Sequence, residues 1–244
     1  MANFSFKKHT LIFALTIQCF NAIADNNDGL IDAPSKDYLE RIQIIGHDEK
    51  LRTESGSATL IGEAELEKFK FDDINRVLYS VPGVNIREED GFGLRPNIGF
   101  RGATPERSKK ITVMEDGILS GPSPYSAPAA YYFPNISRMS AVEVFKGPST
   151  IQYGPATVGG AINMVSRPIP YSSEGELDVQ YGSDNFQRYS AHQGQQIGDF
   201  GYVIEGLRLS TDGFKEIDGS NDSTGFVRND VNLKTSWEIQ GEVS

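Results

Sequence analysis

At 244 residues with a formal net charge of −10, the chain can form one large domain or two small ones and is too acidic to suit nucleic acid as a partner. Its one cysteine, Cys19, lies in the N-terminal apolar run, so neither a disulfide nor thiol chemistry is expected of the mature protein. After Phe20 no apolar run approaches a bilayer-spanning helix, so entry into a membrane would have to be as β-structure.

Lys7 and Lys8, the mainly apolar residues 11–20 and Ala22-Ile23-Ala24 are the basic, apolar and small-residue parts of a secretory signal peptide, with cleavage expected after Ala24. A lipoprotein signal on Cys19 is disfavoured because Gln18 stands where a small residue is needed. Cleavage removes two lysines and no acid, which takes the net charge from −10 to −12.

Residues 25–40 are a polar leader. They are followed by a short β-prone island, Arg41-Ile42-Gln43-Ile44-Ile45-Gly46. An isolated strand cannot satisfy its own backbone, so this island either opens the sheet of the next domain or waits for a partner.

The chain then becomes mixed. A short helix is predicted over 63–68. A second follows Asp72 or Asp73, either able to cap it, with Ile74, Val77, Leu78 and Val81 on one face and Pro82-Gly83 as the stop. Short strands are predicted at 83–86, 97–101, 110–114 and 141–146, giving an α+β domain over 47–170. From 171 onward strands alternate with turns. The clearest is Phe226–Trp237, with Val227, Val231, Leu233 and Trp237 sharing one face with Asn229 and Thr235, and Arg228, Asp230, Asn232, Lys234 and Ser236 on the other. Residues 177–181 alternate as well; 186–193 and 202–209 do so poorly. A soluble sandwich and a membrane barrel with a wet lumen both fit this pattern. Four strands cannot close a barrel, so residues 171–244 are expected to be only its beginning.

Enzyme chemistry lacks residues. After signal removal only His47 and His192 remain, neither near a second histidine or an acid at metal-ligand spacing. Gly147-Pro148-Ser149 lacks the closing glycine of a nucleophile elbow, and Gly91-Phe92-Gly93 runs into Pro96 where a dinucleotide loop needs glycine. What stands out is a set of bends directly after short strands: Arg101-Gly102, Asp116-Gly117, Lys146-Gly147-Pro148, Gly154 and Gly159-Gly160.

On these bends, and on Val81-Pro82-Gly83-Val84, Asn97-Ile98-Gly99-Phe100 and the long stretch 139–166, the chain resembles the plug domain of TonB-dependent outer-membrane receptors. The segments 93–108 and 124–134 resemble most the ferric-dicitrate receptor branch. The resemblance implies an α+β plug followed by the first antiparallel strands of an outer-membrane β-barrel in a Gram-negative bacterium. It implies uptake of a ferric siderophore or iron(III) citrate complex, with the chelate as transported ligand and no covalent cofactor. The implied partners are TonB, its inner-membrane energising complex and outer-membrane lipid. By the same resemblance Ile42, Gln43, Ile44 and Ile45 become the TonB-binding segment, by strand addition, within a leader spanning 25–46. Arg101 and Lys146, with Glu143, become the lock between plug and barrel; lysine at 146 stands where the family more usually has arginine. Arg95, Tyr125, Tyr131 and Tyr132 become ligand contacts, although a packed turn accounts equally well for the tyrosines. The leader leaves no room for an extra periplasmic signalling domain. An alternative to transport is an exported plug that binds TonB or chelate in the periplasm.

Overall fold

A computed structural model of the chain describes residues 56–120, 132–215, 218–219 and 224–237, together with the backbone of residues 38–39. The expected signal peptide, Ile42, Gln43, Ile44, Ile45, Tyr125 and Tyr131 lie outside the described residues.

The elements run β1 (Tyr38–Leu39), β2 (Ser57–Ile61), α1 (Glu63–Phe69), α2 (Ile74–Leu78), β3 (Val84–Arg87), β4 (Asn97–Phe100), β5 (Ile111–Glu115), β6 (Ile118–Leu119), β7 (Met139–Lys146), β8 (Gly160–Ser166), β9 (Ile169–Pro170), β10 (Glu174–Tyr181), β11 (Gln187–Ile197), β12 (Phe200–Thr211) and β13 (Phe226–Trp237). Short 3-10 turns precede β5, β7 and β8.

Helix α1 begins after Gly62 without a side-chain cap. Glu63 and Glu65 in its first turn and Lys68 in its last suit the helix dipole. It ends at Lys70, whose left-handed φ of 45° lets its N–H reach the Leu66 carbonyl. Of the two aspartates that follow, Asp73 is the cap, its carboxylate accepting from the Asn75 N–H at 2.8 Å. Ile74, Val77, Leu78 and Val81 are buried as their spacing requires.

The first layer is a mixed sheet in the order β2-β7-β8-β5-β6, antiparallel except for the β5–β8 pair. Every residue of β7 and β8 is buried, because both strands are central and covered on both faces. Val142, Val144, Ile162 and Met164 face the main core with Leu78, Ile98, Phe100 and Ile111. On the reverse face Phe145 meets Met114 and Ala161, with the Tyr153 ring tilted against it at 4.9 Å. The paired hairpin β3–β4 lies beside this sheet and supplies Ile98 and Phe100 to its core. Strands β2 and β8 were not among the expected strands. Burial on both faces removes the alternation that would have marked β8, and its glycine start disguises it as a turn.

The second layer is an antiparallel meander, β10-β11-β12-β13. It is not closed into a barrel among the described residues: β10 and β13 are both free edges. Phe226–Trp237 has the predicted bounds, and its side chains alternate along the whole strand. Val227, Val231, Leu233 and Trp237 are exposed, while Arg228, Asp230, Asn232 and Lys234 turn inward and are half-buried. Leu177, Val179 and Tyr181 continue the exposed apolar face on β10. Strand β11 alternates poorly in sequence because its inner face holds Arg188, Ser190 and His192 and its outer face Ala191 and Gln193. Aromatic side chains gather at both ends of this sheet. Tyr181 meets Tyr189 edge-on at 5.8 Å at one end, and Phe200 meets Trp237 at 5.8 Å at the other.

Candidate functional site

The bends after the short strands converge. Strand β4 runs into Arg101, which has a left-handed φ of 48° and donates its N–H to the Gly83 carbonyl at 3.0 Å. Strand β7 runs into Lys146, which is buried and donates Nζ to the Pro82 carbonyl at 2.7 Å. Two of the three expected lock residues therefore meet over the Val81-Pro82-Gly83 turn. Burial first, and the Arg101 charge second, hold the Lys146 ammonium below the ordinary lysine range. Neither cation forms an ion pair among the described residues. Arg101 is exposed on the rim of an open hollow of about 830 Å³ that Gly147, Pro148, Ile151, Gly154 and Val158 also line.

Glu143 is elsewhere. Three residues before Lys146 on β7, it points to the opposite face, fully buried, and accepts from Asn163 Nδ2 at 2.8 Å. Asn163 Oδ1 accepts from the Gly117 N–H at 2.8 Å, so this side-chain network braces the two-residue Asp116-Gly117 hairpin turn. Both turn residues have positive φ, 50° and 75°, the geometry for which Asp-Gly is suited.

On the loop from β3 to β4, the Asp90 carboxylate accepts from the Phe92 N–H at 2.7 Å and the Arg95 N–H at 2.9 Å, and Arg95 is exposed. Gly93 is required here: its φ is +69°, and a Cβ would sit 2.1 Å from an Asp73 carboxylate oxygen. Tyr132 is half-exposed, and its hydroxyl accepts from Arg138 at 3.4 Å. No hydrogen bond or ring contact joins Arg95 to Tyr132 among the described residues.

Sequence reasoning missed the most heavily charged region, the seam between the two layers. Lys70 reaches Glu176 at 2.5 Å and Asp178 at 3.2 Å on β10. Arg188 of β11, almost fully buried, donates to the Lys70 carbonyl at 2.9 Å and pairs with Asp72 at 3.4 Å. Arg167 pairs with Glu205 of β12 at 3.3 Å. Lys234 of β13 reaches Asp116 at 3.3 Å, the Arg167 carbonyl at 3.2 Å and the Ser166 hydroxyl. Glu176, with Asp178 and Glu67 behind it, raises the Lys70 ammonium above its ordinary value; burial raises the Asp72 carboxyl against the pull of Arg188. Lys70, Glu176, Asp178, Arg188, Arg167 and Glu205 line a partly open space of about 40 Å³, room for a water or two. The alternation of charge along Phe226–Trp237 was the available signal. Its partners lie in turns, which periodicity does not place.

The model of the TonB-dependent receptor plug domain matches residues 50–161. The chain carries a TonB-dependent receptor plug domain. Among solved structures it is similar to the unliganded ferric citrate transporter FecA, at a TM-score of 0.65 and 23% identity over 82% of this chain. It is also similar to the ferric yersiniabactin uptake receptor FyuA from Yersinia pestis, at 0.60 and 22% over 76%. The siderophore receptor PirA from Acinetobacter baumannii matches at 0.57 and 21% over 79%. At these identities the likeness is one of fold, and the chain spans 31%, 29% and 30% of those receptors' respective lengths. The plug domain is the first layer, and the four-stranded meander packs its charged face against it.

Proposed function

We propose that this plug and its four strands serve an outer-membrane receptor that takes up a ferric chelate, a siderophore or iron(III) citrate, with energy supplied through TonB. The observation that carries the reading is the match of residues 50–161 to the plug family, packed against strands whose outward face exposes Leu177, Val179, Ile204, Val231 and Leu233. Tyr189 is level with Arg208 and Asn229 across the sheet, so eight residues of β13 separate the two aromatic ends. That is about 26 Å along a strand, or about 20 Å across a membrane at a usual tilt, close to the apolar band of an outer-membrane barrel. The turn after Ile197 then faces the periplasm, and the loops at 182–186 and 212–225 face outward.

Within this reading Ile42, Gln43, Ile44 and Ile45 offer a strand to TonB. Arg101 and Lys146 hold the plug to acidic groups of the barrel wall, while Glu143 braces the same strand from inside. Arg95, Tyr125, Tyr131 and Tyr132 meet the chelate. The test is growth under iron limitation of a strain lacking the gene, with and without the complete gene restored, on a panel of ferric chelates. Restored growth on at least one chelate is expected. Rescue on none would count against iron import and turn attention to other cargoes.

A further inference from the structure

The start of β13 touches both stretches that carry the described ligand candidates. Phe226 and Arg228 are two residues apart and share its inner face. Phe226 packs edge-on against Phe92 at 5.0 Å, and Phe214 of the 212–225 loop closes on Phe92 at 5.4 Å. Gly91 makes room for this contact, since a Cβ there would lie 2.5 Å from the Phe214 ring. Lys215 adds a bond from Nζ to the Glu89 carbonyl at 2.8 Å. Arg228 donates to the carbonyl of buried Phe133 at 3.0 Å, next to Tyr132, and is held by Asp230 at 3.4 Å.

Strand β13 is fixed by an uninterrupted ladder to β12, from Thr211↔Phe226 to Phe200↔Trp237. Residues 88–95 and 132–135 have no such ladder. We infer that Phe226 and Arg228 are positioning residues, which set where the Arg95 loop and the Tyr132 segment stand relative to each other and so shape the chelate site. The inference deepens the proposed import reading and rests on it for the identity of the ligand.

Hydrogen exchange of the purified product of the complete gene tests the placement without any ligand. Phe226→Ala with Arg228→Ala should speed exchange about tenfold in peptides covering 88–96 and 132–138, the loss of one aromatic pair and one charged hydrogen bond. Exchange in 200–211 should be unchanged. Arg228→Lys, which keeps a donor, should restore much of the protection at 132–138. Equilibrium binding of ⁵⁵Fe, offered as iron(III) dicitrate and as a catecholate chelate, should weaken about tenfold in the double variant. Unchanged exchange in both peptides would overturn the inference, as would faster exchange with unchanged chelate affinity. If the parent protein binds neither chelate, the ferric reading fails there, and the exchange result still decides the positioning role.

Discussion

Lys146 and Lys70 are both lysines drawn out of water, with opposite consequences. Lys70 gains carboxylates, so its folded-state pKa rises above the ordinary 10.5. Its stabilisation is complete below pH 10.5 and is lost as pH rises through the folded value. Denaturant titrations at pH 9 to 12 should therefore show a decline that Lys70→Met removes; an unaltered decline would refute the seam's dependence on this ammonium. Lys146 is depressed instead. Its contribution is full above pH 10.5 and falls as pH drops through the folded value, so at neutral pH the charged ammonium is a net cost set against its bond to Pro82. Lys146→Met should leave the melting temperature within a few degrees of the parent, whereas Arg188→Ala should cost about 3–5 kcal/mol, because it leaves the largely buried Asp72 carboxylate without its cation. A melt of each variant separates the two. A cation kept in the core without clear gain in stability fits a role beyond folding, which the proposed lock supplies.

At the scale of elements, β8 depends on its first residue. Gly160 has φ +148°, and a Cβ there would lie 2.4 Å from the Phe145 carbonyl and 2.5 Å from the Phe100 ring. Gly160→Val should destabilise the plug by about 1–3 kcal/mol or more through overpacking, read as a lower denaturation midpoint with an unchanged slope. The same glycine shows what a sequence discloses. The second helix and the whole of Phe226–Trp237 were legible because each keeps one face to water and so has a period, whereas the strands at 97–100, 111–115 and 139–146, buried almost throughout, were legible as short apolar runs closed by a charged residue or a glycine. Strand β8 was legible only as a motif, since burial on both sides leaves no period to read. Among the site residues, Arg101 and Lys146 stood out through the glycines beside them. Lys70, Asp72 and Arg167 did not, because each sits in a turn and gains its meaning from a strand at least 38 residues away in the chain.

For the whole molecule, the seam joins plug and strands through separate charged contacts, Lys70 and Arg188 at one place and Arg167 and Lys234 at another. Polar contacts with room for water hold two layers in register while exchanging one partner for another at small cost, which a purely apolar interface does not allow. Under the proposed import reading, that suits a plug that stays seated at rest and yields when pulled. Arg167 and Lys234 share the Ser166-Arg167 turn, so Arg167→Ala and Lys234→Ala should be non-additive by at least about 0.5 kcal/mol in a double-mutant cycle. Additive losses would mean that the two contacts act independently. The central claim, TonB-coupled import of a ferric chelate, is tested most directly by accumulation of ⁵⁵Fe from a panel of chelates in cells with and without the complete gene, each with and without TonB. The account predicts at least one chelate whose iron accumulates only when both are present. Equal accumulation in all four strains, for every chelate, would contradict it.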